Sequence, residues 1–319
     1  MNINDKTVLE NDISTLSPVV LFAYNRLDHT IKCIEYLKNN YLSEKTILFI
    51  VSDGPKNEND KKSVDEVRGY LHQVKGFKKV NIIERKKNYG LAHNIVSGIT
   101  QIINHYGKII VLEDDIITSP YFLIYMNNAL NRYEKQFEVM SVSGYVPPID
   151  VNSLPDYYFM PWFDCWGWGT WKDRWRLFEK KPKKFIKESN LSFIHRVNVN
   201  GSSPDMWSTL IDNYRGKRNT WAIFYFASIC KANGFVLYPK YPYAKNIGFD
   251  GSGENCDNGY IYEVDLNRDY KENLPINLSL DKEAMKAFSE FNRKRIKPIE
   301  KLTYYIKILI FYFFKEFIK

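Results

Sequence analysis

Residues 108–115 read KIIVLEDD, a short apolar run that ends in three consecutive acids, Glu113, Asp114 and Asp115. Such a run reads as a buried strand. It holds three carboxylates at its tip, where backbone and neighbouring loops can fix their direction. Hard oxygen ligands in a row suit Mg²⁺ or Mn²⁺, which keep open positions for the phosphates of a bound nucleotide. An isolated acidic turn capping the helix that starts at Ser119-Pro120 is the simpler alternative. The segments on either side decide between the two.

Upstream, PVVLFAY (18–24), TILFIVS (46–52) and KVNIIE (79–84) read as strands, and EVMSVSG (138–144) follows downstream. Between them lie amphipathic stretches. DHTIKCIEYLKNN opens with an N-cap candidate at Asp28 and sets Ile31, Ile34 and Leu37 at helical spacing, and residues 60–74, 91–104 and 120–134 are similar. Strands alternating with crossover helices predict a doubly wound α/β sheet over residues 18–144. Ligands of such sheets bind beyond the carboxyl ends of the strands. The polar loops there are AYNR, SDGP, ERKKNYG and EDD. Asn25 and Arg26 end the first strand, and a guanidinium there can hold phosphate bidentately. Asp53 ends the second, where it can accept from a base edge or ribose or serve only the D-G-P turn. Arg85 and Asn88 precede the third crossover helix, whose start at Gly90 can face an anion.

After Gly144 the texture changes. Pro147, Pro148, Pro155 and Pro161 punctuate the chain, and Trp162, Trp166, Trp168, Trp171 and Trp175 crowd together. A second lobe or a large insertion on the sheet is expected here. Residues 203–233 look helical, FVLYP is a short strand, and KNIGFDGSGENCDNG is a glycine-rich loop.

These residues carry a family resemblance. PVVLFAYNR, SDGP, ERKKNYGLAHN and IIVLEDDIITSPYFLIYMN resemble the nucleotide-binding half of GT-A glycosyltransferases, in particular bacterial family-2-like sugar transferases and the N-acetylglucosaminyltransferase I group. The resemblance covers residues 18–145 and continues more weakly to about 260. It implies a GT-A-type doubly wound mixed sheet with a Rossmann-like nucleotide-binding half, an acceptor-side lobe and a C-terminal amphipathic helix. The implied segments are a leader (1–17), a nucleotide-sugar half (18–145), an acceptor and catalytic half (146–270) and a basic aromatic tail (271–319). The implied donor is a UDP-sugar, held by Asn25, Arg26, Asp53, Arg85, Asn88, Glu113 and Asp114, with Asp53 on uracil or ribose and Asp115 on Mn²⁺ or Mg²⁺. CWGWGTWKDRW resembles the acceptor-side segment and puts Trp166, Trp168 and Trp171 at the sugar, whose C–H face stacks well on tryptophan.

The match departs from the family's pattern twice. Related enzymes place a base carboxylate in a tryptophan-containing stretch of the second half, and the matching NTWAIFYF has Ala222 instead. Asp205 and Asp212 are the nearby candidates for the base that removes the acceptor proton, Asp212 being preferred. A histidine common near the end of the glycine-rich loop is replaced by Glu254, Asn255 and Cys256.

The 319 residues, 45% hydrophobic and 26% charged, exclude a disordered chain. Four scattered cysteines, with no C-x-x-C pair, argue against a zinc ribbon or a disulfide scaffold and for a reducing cytoplasm. Of the net charge of +8, +5 falls within residues 281–319, so the basic excess belongs to the tail, and no nucleic-acid recognition motif accompanies it. The end of that tail, KLTYYIKILIFYFFKEFIK, is too short and too charged for a membrane span. It reads as an interfacial helix on the inner face of the cytoplasmic membrane, or as a helix docked on the protein itself. The expected function is metal-dependent, inverting transfer of a hexosyl or N-acetylhexosaminyl group to a glycan or lipid-linked saccharide acceptor in surface polysaccharide synthesis. The alternatives are a non-catalytic carbohydrate-binding relative and a nucleotidyltransferase. The absence of glycine in AYNRLDHT, where a triphosphate loop belongs, counts against the last.

Overall fold

The computed structural model describes residues 16–251 and 260–315. Residues 1–15 of the leader, the loop residues Glu254, Asn255 and Cys256, and the last four residues lie outside them. Strand β1 (Val19–Ala23) is buried along its whole length. It is flanked in parallel by β2 (Ile47–Ser52) and β4 (Lys108–Glu113), and β3 (Lys79–Glu84) pairs with β2. The near-continuous apolarity of these segments reflects helices on both faces. Val19 and Leu21 point into the layer shared with α1 (Leu27–Lys38), while Val20 and Phe22 join the layer of α3 (Leu91–Tyr106). Helix α1 buries Thr30, Cys33, Ile34 and Leu37, the spacing of one helical face. Helix α2 (Glu58–Leu71) starts at Asn57, whose side chain accepts from the Asp60 amide at 3.1 Å.

Among the described residues eight strands form one mixed sheet in the order β3-β2-β1-β4-β8-β6-β9-β7. Here β6 is Val139–Ser143, β7 Tyr157–Met160, β8 Trp168–Trp171 and β9 Phe235–Pro239. The strand next to β4 is therefore not β6, as chain order alone would suggest. Strand β8 enters antiparallel between them, pairing Trp168 with Val111 and Gly169 with Val142. Residues on both sides of position 145 thus build a single sheet. A small antiparallel pair joins β5 (Ile116–Thr118) to β10 (Ala244–Asn246) above the end of β4.

Helix α4 (Phe122–Arg132) covers one sheet face, and a helical layer covers the other. That layer includes α5 (Lys172–Trp175), α6 (Pro182–Glu188), α7 (Leu191–Val197), α8 (Asp205–Tyr214) and α9 (Ala222–Lys231). The helical reading of 203–233 resolves into α8 and α9. Between them Asn213 closes the turn by donating to Thr220 Oγ1 and accepting from the Thr220 amide, both at 2.9 Å. Helix α10 (Lys282–Arg295) is capped by Asp281, and α11 (Pro298–Phe313) begins at a proline.

Candidate active site

The carboxyl ends of β1, β2 and β4 meet at one crevice, because Phe22 registers with Glu113 and Ala23 with Ser52. Arg26 reaches across it. Its Nη2 donates to Asp115 Oδ2 at 2.8 Å and to Asp114 Oδ1. The Asp114 and Asp115 carboxylates are buried and share this one guanidinium, and Glu113 is half-buried beside them. Burial, reinforced by the charges of Asp115 and Asp114, pushes the Glu113 carboxyl up to about 8. Burial also raises Asp114, to about 6, although Arg26 opposes it. Burial works against the Arg26 charge as well, but the two aspartates outweigh it and hold the guanidinium protonated. Arg26 Nη1 is buried and finds no acceptor among the described residues. The crevice therefore has more negative charge than its own cation balances, and one donor aimed at nothing.

The chain after β10 covers these acids. Ile247 N donates to the Asp115 carbonyl at 2.8 Å, and His29 Nε2 lies 3.2 Å from Asp250 Oδ2. A Cβ at position 248 would collide with Asp115 Oδ2 and come within 3.1 Å of Arg26 Nη1, so a larger residue there would have to displace those side chains.

Asp53 and the loop before α3 form a second structured corner. Asp53 Oδ1 accepts from the Gly54 and Tyr89 amides at 2.9 and 2.8 Å, and Oδ2 from the Gly90 amide at 3.0 Å. Asn88 Nδ2 donates to the Gly54 carbonyl at 2.8 Å. Gly54 permits this approach, because a Cβ would come within 2.5 Å of the Lys87 carbonyl carbon. Arg85 lies over the Tyr89 ring and donates to Asn94 Oδ1 at 3.1 Å. Asp53 and Asn88 thus shape the loop with the very atoms expected to meet a nucleotide. Asn25 sits half-buried beside Arg26 at the mouth.

The second half departs further from expectation. Trp168 is fully buried between Trp221, Trp175 and Tyr225. Trp171 is buried too, donating its indole N–H to the Leu130 carbonyl at 2.9 Å under the Arg174 guanidinium. The acceptor role expected of these two is corrected: strand alternation and the insertion of β8 at the sheet's centre put both in the core. Trp166, before the strand, stays half-exposed against Tyr145, Phe249 and Tyr262. The base candidates both lie in ion pairs. Asp205 is held by Arg295 at 2.8 Å and accepts from Ser203, and Asp212 is held by Lys307 at 2.6 Å. Both carboxylates fasten α8 to the C-terminal helices. Asp164 lies in the turn before β8 and is not marked by the strand-end pattern of the first half. In the sequence its signal is an acid inside the aromatic run WFDCWGW.

Residues 19–199 match the family described as Glycosyl transferase family 2, more than half of the chain. The chain belongs to that family. It is a GT-A fold glycosyltransferase. None of the curated proteins matches its sequence. Solved structures similar to this glycosyltransferase include the mannosyltransferase PcManGT from Pyrobaculum calidifontis, in complex with GDP-Man and Mn²⁺. That likeness has 10% identity over 72% of this chain and 76% of that one, at a TM-score of 0.38. The galactosyltransferase LgtC, in complex with donor and acceptor sugar analogs, is similar at 8% identity over 68% of this chain and 72% of that one, at 0.34. S. aureus TarS is similar at 9% identity over 44% of this chain and 23% of that one, at 0.31. Likenesses this loose carry nothing about substrate, and the family rests on the sequence match.

Proposed function

We propose that this glycosyltransferase binds a UDP-sugar with its diphosphate at the ends of β1 and β4 and transfers the sugar, with inversion, to a glycan or lipid-linked saccharide. Bacterial surface polysaccharide synthesis is the setting that fits the sequence resemblance. One observation carries the donor site: the buried Asp114 and Asp115 share Arg26 beside the half-buried Glu113, and Arg26 Nη1 has no acceptor among the described residues. A diphosphate supplies the missing acceptor.

The excess of carboxylate oxygens fits a hard divalent cation, Mn²⁺ or Mg²⁺, with Asp115 the residue to hold it. Among the described residues no group of three or more His, Cys, Asp or Glu side chains is arranged to hold a cation unaided. A cation seated here would therefore complete its shell with diphosphate oxygens and water, and it would stabilise the departing nucleoside diphosphate. Arg26 neutralises and orients the acids, the loop braced by Asp53 and Asn88 shapes the nucleoside side, and the 247–251 segment excludes water from above. In the segment order expected from the sequence, residues 18–145 carry the donor and 146–270 the acceptor. Trp166 is the acceptor-side tryptophan retained in this reading.

The C-terminal helix supports work at a membrane surface. Helix α11 docks by one side, burying Ile308 and joining Lys307 to Asp212 and Tyr305 to the Gly201 carbonyl. Its other side exposes Ile299, Leu302, Ile306, Ile310 and Phe313, an apolar stripe at helical spacing beside exposed Arg293, Lys294 and Lys297. Among the described residues no helix is long and apolar enough to cross a membrane. The stripe suits the acyl boundary of an anionic leaflet, on the cytoplasmic side, with the basic residues toward the headgroups.

The purified protein, incubated with a panel of UDP- and GDP-sugars with and without Mn²⁺, should release UDP in a cation-dependent manner and sediment with anionic but not neutral vesicles. Release of no nucleotide from any donor would overturn the donor site, and indifference to vesicle charge would overturn the membrane reading.

A further inference from the structure

We infer that Asp164 is the base that removes the proton from the acceptor hydroxyl. This inference rests on the donor site proposed above and adds the residue on the acceptor's side.

Strand β8 runs antiparallel to β4 with Trp168 opposite Val111. The chain just before Trp168 therefore leads past the end of β4, to the side of the sheet where the acids lie. The Gly144 amide donates to the Gly167 carbonyl at 2.7 Å and ties this approach to the end of β6. Asp164 closes the turn by accepting from the Trp166 amide at 3.1 Å. The Trp166 ring then meets Tyr145 at 4.5 Å, Phe249 at 5.3 Å and Tyr262 at 5.5 Å between centroids. Phe249 follows Gly248, whose backbone rests on the Asp115 carboxylate. A continuous aromatic wall thus runs from the donor acids to Asp164. Such a wall accepts the C–H face of a sugar while leaving its hydroxyls to polar partners.

The electrostatic setting of Asp164 differs from that of the other second-half acids. No lysine or arginine pairs with it among the described residues. The titratable groups around it are the phenols of Tyr145, Tyr238 and Tyr262 and the neighbouring Cys165 thiol. It sits deep among protein atoms yet keeps an accessible face. Burial pushes its carboxyl up to about 7, although the Trp166 and Cys165 amides work the other way. A carboxylate with that proton affinity, accessible and uncommitted to any cation, is matched to proton abstraction near neutral pH.

In the step, the acceptor hydroxyl gives its proton to the Asp164 carboxylate while its oxygen bonds to the anomeric carbon. The bond from that carbon to the diphosphate oxygen breaks, and the nucleoside diphosphate leaves with the electron pair. The carboxylic acid so formed returns its proton to solvent before the next turnover.

The test compares wild type, Asp164→Asn and Asp164→Glu. Turnover is read as UDP released from UDP-glucose, UDP-galactose and UDP-N-acetylglucosamine, and nucleotide binding as the heat of UDP titration. Asp164→Asn should bind UDP as wild type does and lose about 100-fold or more in kcat. The wild-type kcat should fall on the acid side of a pH near 7, that limb should vanish in Asp164→Asn, and Asp164→Glu should restore part of the rate. If Asp164→Asn does not fold, Asp164→Glu with a displaced acid limb carries the test. Turnover of Asp164→Asn within a few-fold of wild type, or an unchanged acid limb in either variant, overturns the assignment and leaves the donor site standing. Failure of wild type to bind UDP removes the donor site itself.

Discussion

The acids at the ends of the strands and the acids on helix α8 obey opposite rules. Asp205 and Asp212 each face a cation of their own, Arg295 and Lys307, at 2.8 and 2.6 Å. Asp114 and Asp115 share Arg26 with Glu113 beside them, and Asp164 has no cationic partner among the described residues. Folding matches charges where only architecture is at stake, because an unpaired buried charge costs several kcal/mol. Where charges are left mismatched, the fold has kept a cost that a ligand can relieve. The contrast separates carboxylates that join helices from carboxylates proposed to do chemistry, although both groups are acids on or beside regular elements.

Removing one charge from the mismatched set should give the largest effect. Asp115→Asn is expected to lower sugar transfer by about 10³-fold, the scale for loss of a group that stabilises developing charge. It should not lower the melting temperature. The sign follows from linkage. Glu113 and Asp114 titrate above their ordinary values in the folded protein, so the folded state holds protons that the unfolded chain has released. Stability contributed at low pH is therefore lost as pH rises from the ordinary carboxylate range toward about 8. Wild type should melt at a lower temperature at pH 8 than at pH 6. Asp115→Asn should flatten that slope, since the Asp115 charge is the largest electrostatic contribution raising Glu113 after burial. A steeper slope in calorimetric scans of the variant would break the contrast.

The tryptophans divide in the same way and predict the next largest effect. Trp168→Ala removes a fully buried ring from the centre of the sheet and should cost about 3–5 kcal/mol in denaturant unfolding. Trp166→Ala removes a half-exposed ring, and should cost less stability while raising the KM for the acceptor. Equal stability losses in the two variants would show that the segment is core throughout.

The parallel half was legible because local rules suffice there. In KIIVLE and KVNIIE the apolar runs coincide with the strands, and the polar residues after them mark where the crevice opens. The order of the remaining strands was not, since nothing within WGTW says that it inserts antiparallel beside β4; that pairing joins residues 108–111 to residues 168–171. The strand-end acids could be found because three in a row stand out. The pairing of Asp205 and Asp212 was not legible because their cations, Arg295 and Lys307, lie some ninety residues away in the chain, so their neutralisation is visible only in three dimensions. Asp164 was hidden for the converse reason: its value lies in the cations it does not meet.

The smallest effect belongs to the matched pair between α8 and α11. Lys307 and Asp212 lie 2.6 Å apart with side chains 20% and 18% exposed. Solvent screens such a pair, and partly exposed ion pairs contribute about 1 kcal/mol or less. Lys307 also reaches the Ser208 carbonyl at 3.3 Å and would keep that acceptor when Asp212 loses its charge. Asp212→Asn is therefore expected to lower the melting temperature by only about 2 °C for a chain of this size and to leave UDP release unchanged. It should weaken the hold of α11 on α8, read as faster amide exchange in residues 300–312. A large fall in turnover, with melting temperature and exchange unchanged, would return Asp212 to the catalytic group and erase the distinction between matched and mismatched acids, because a paired carboxylate would then be doing what only an unpaired one is argued to do.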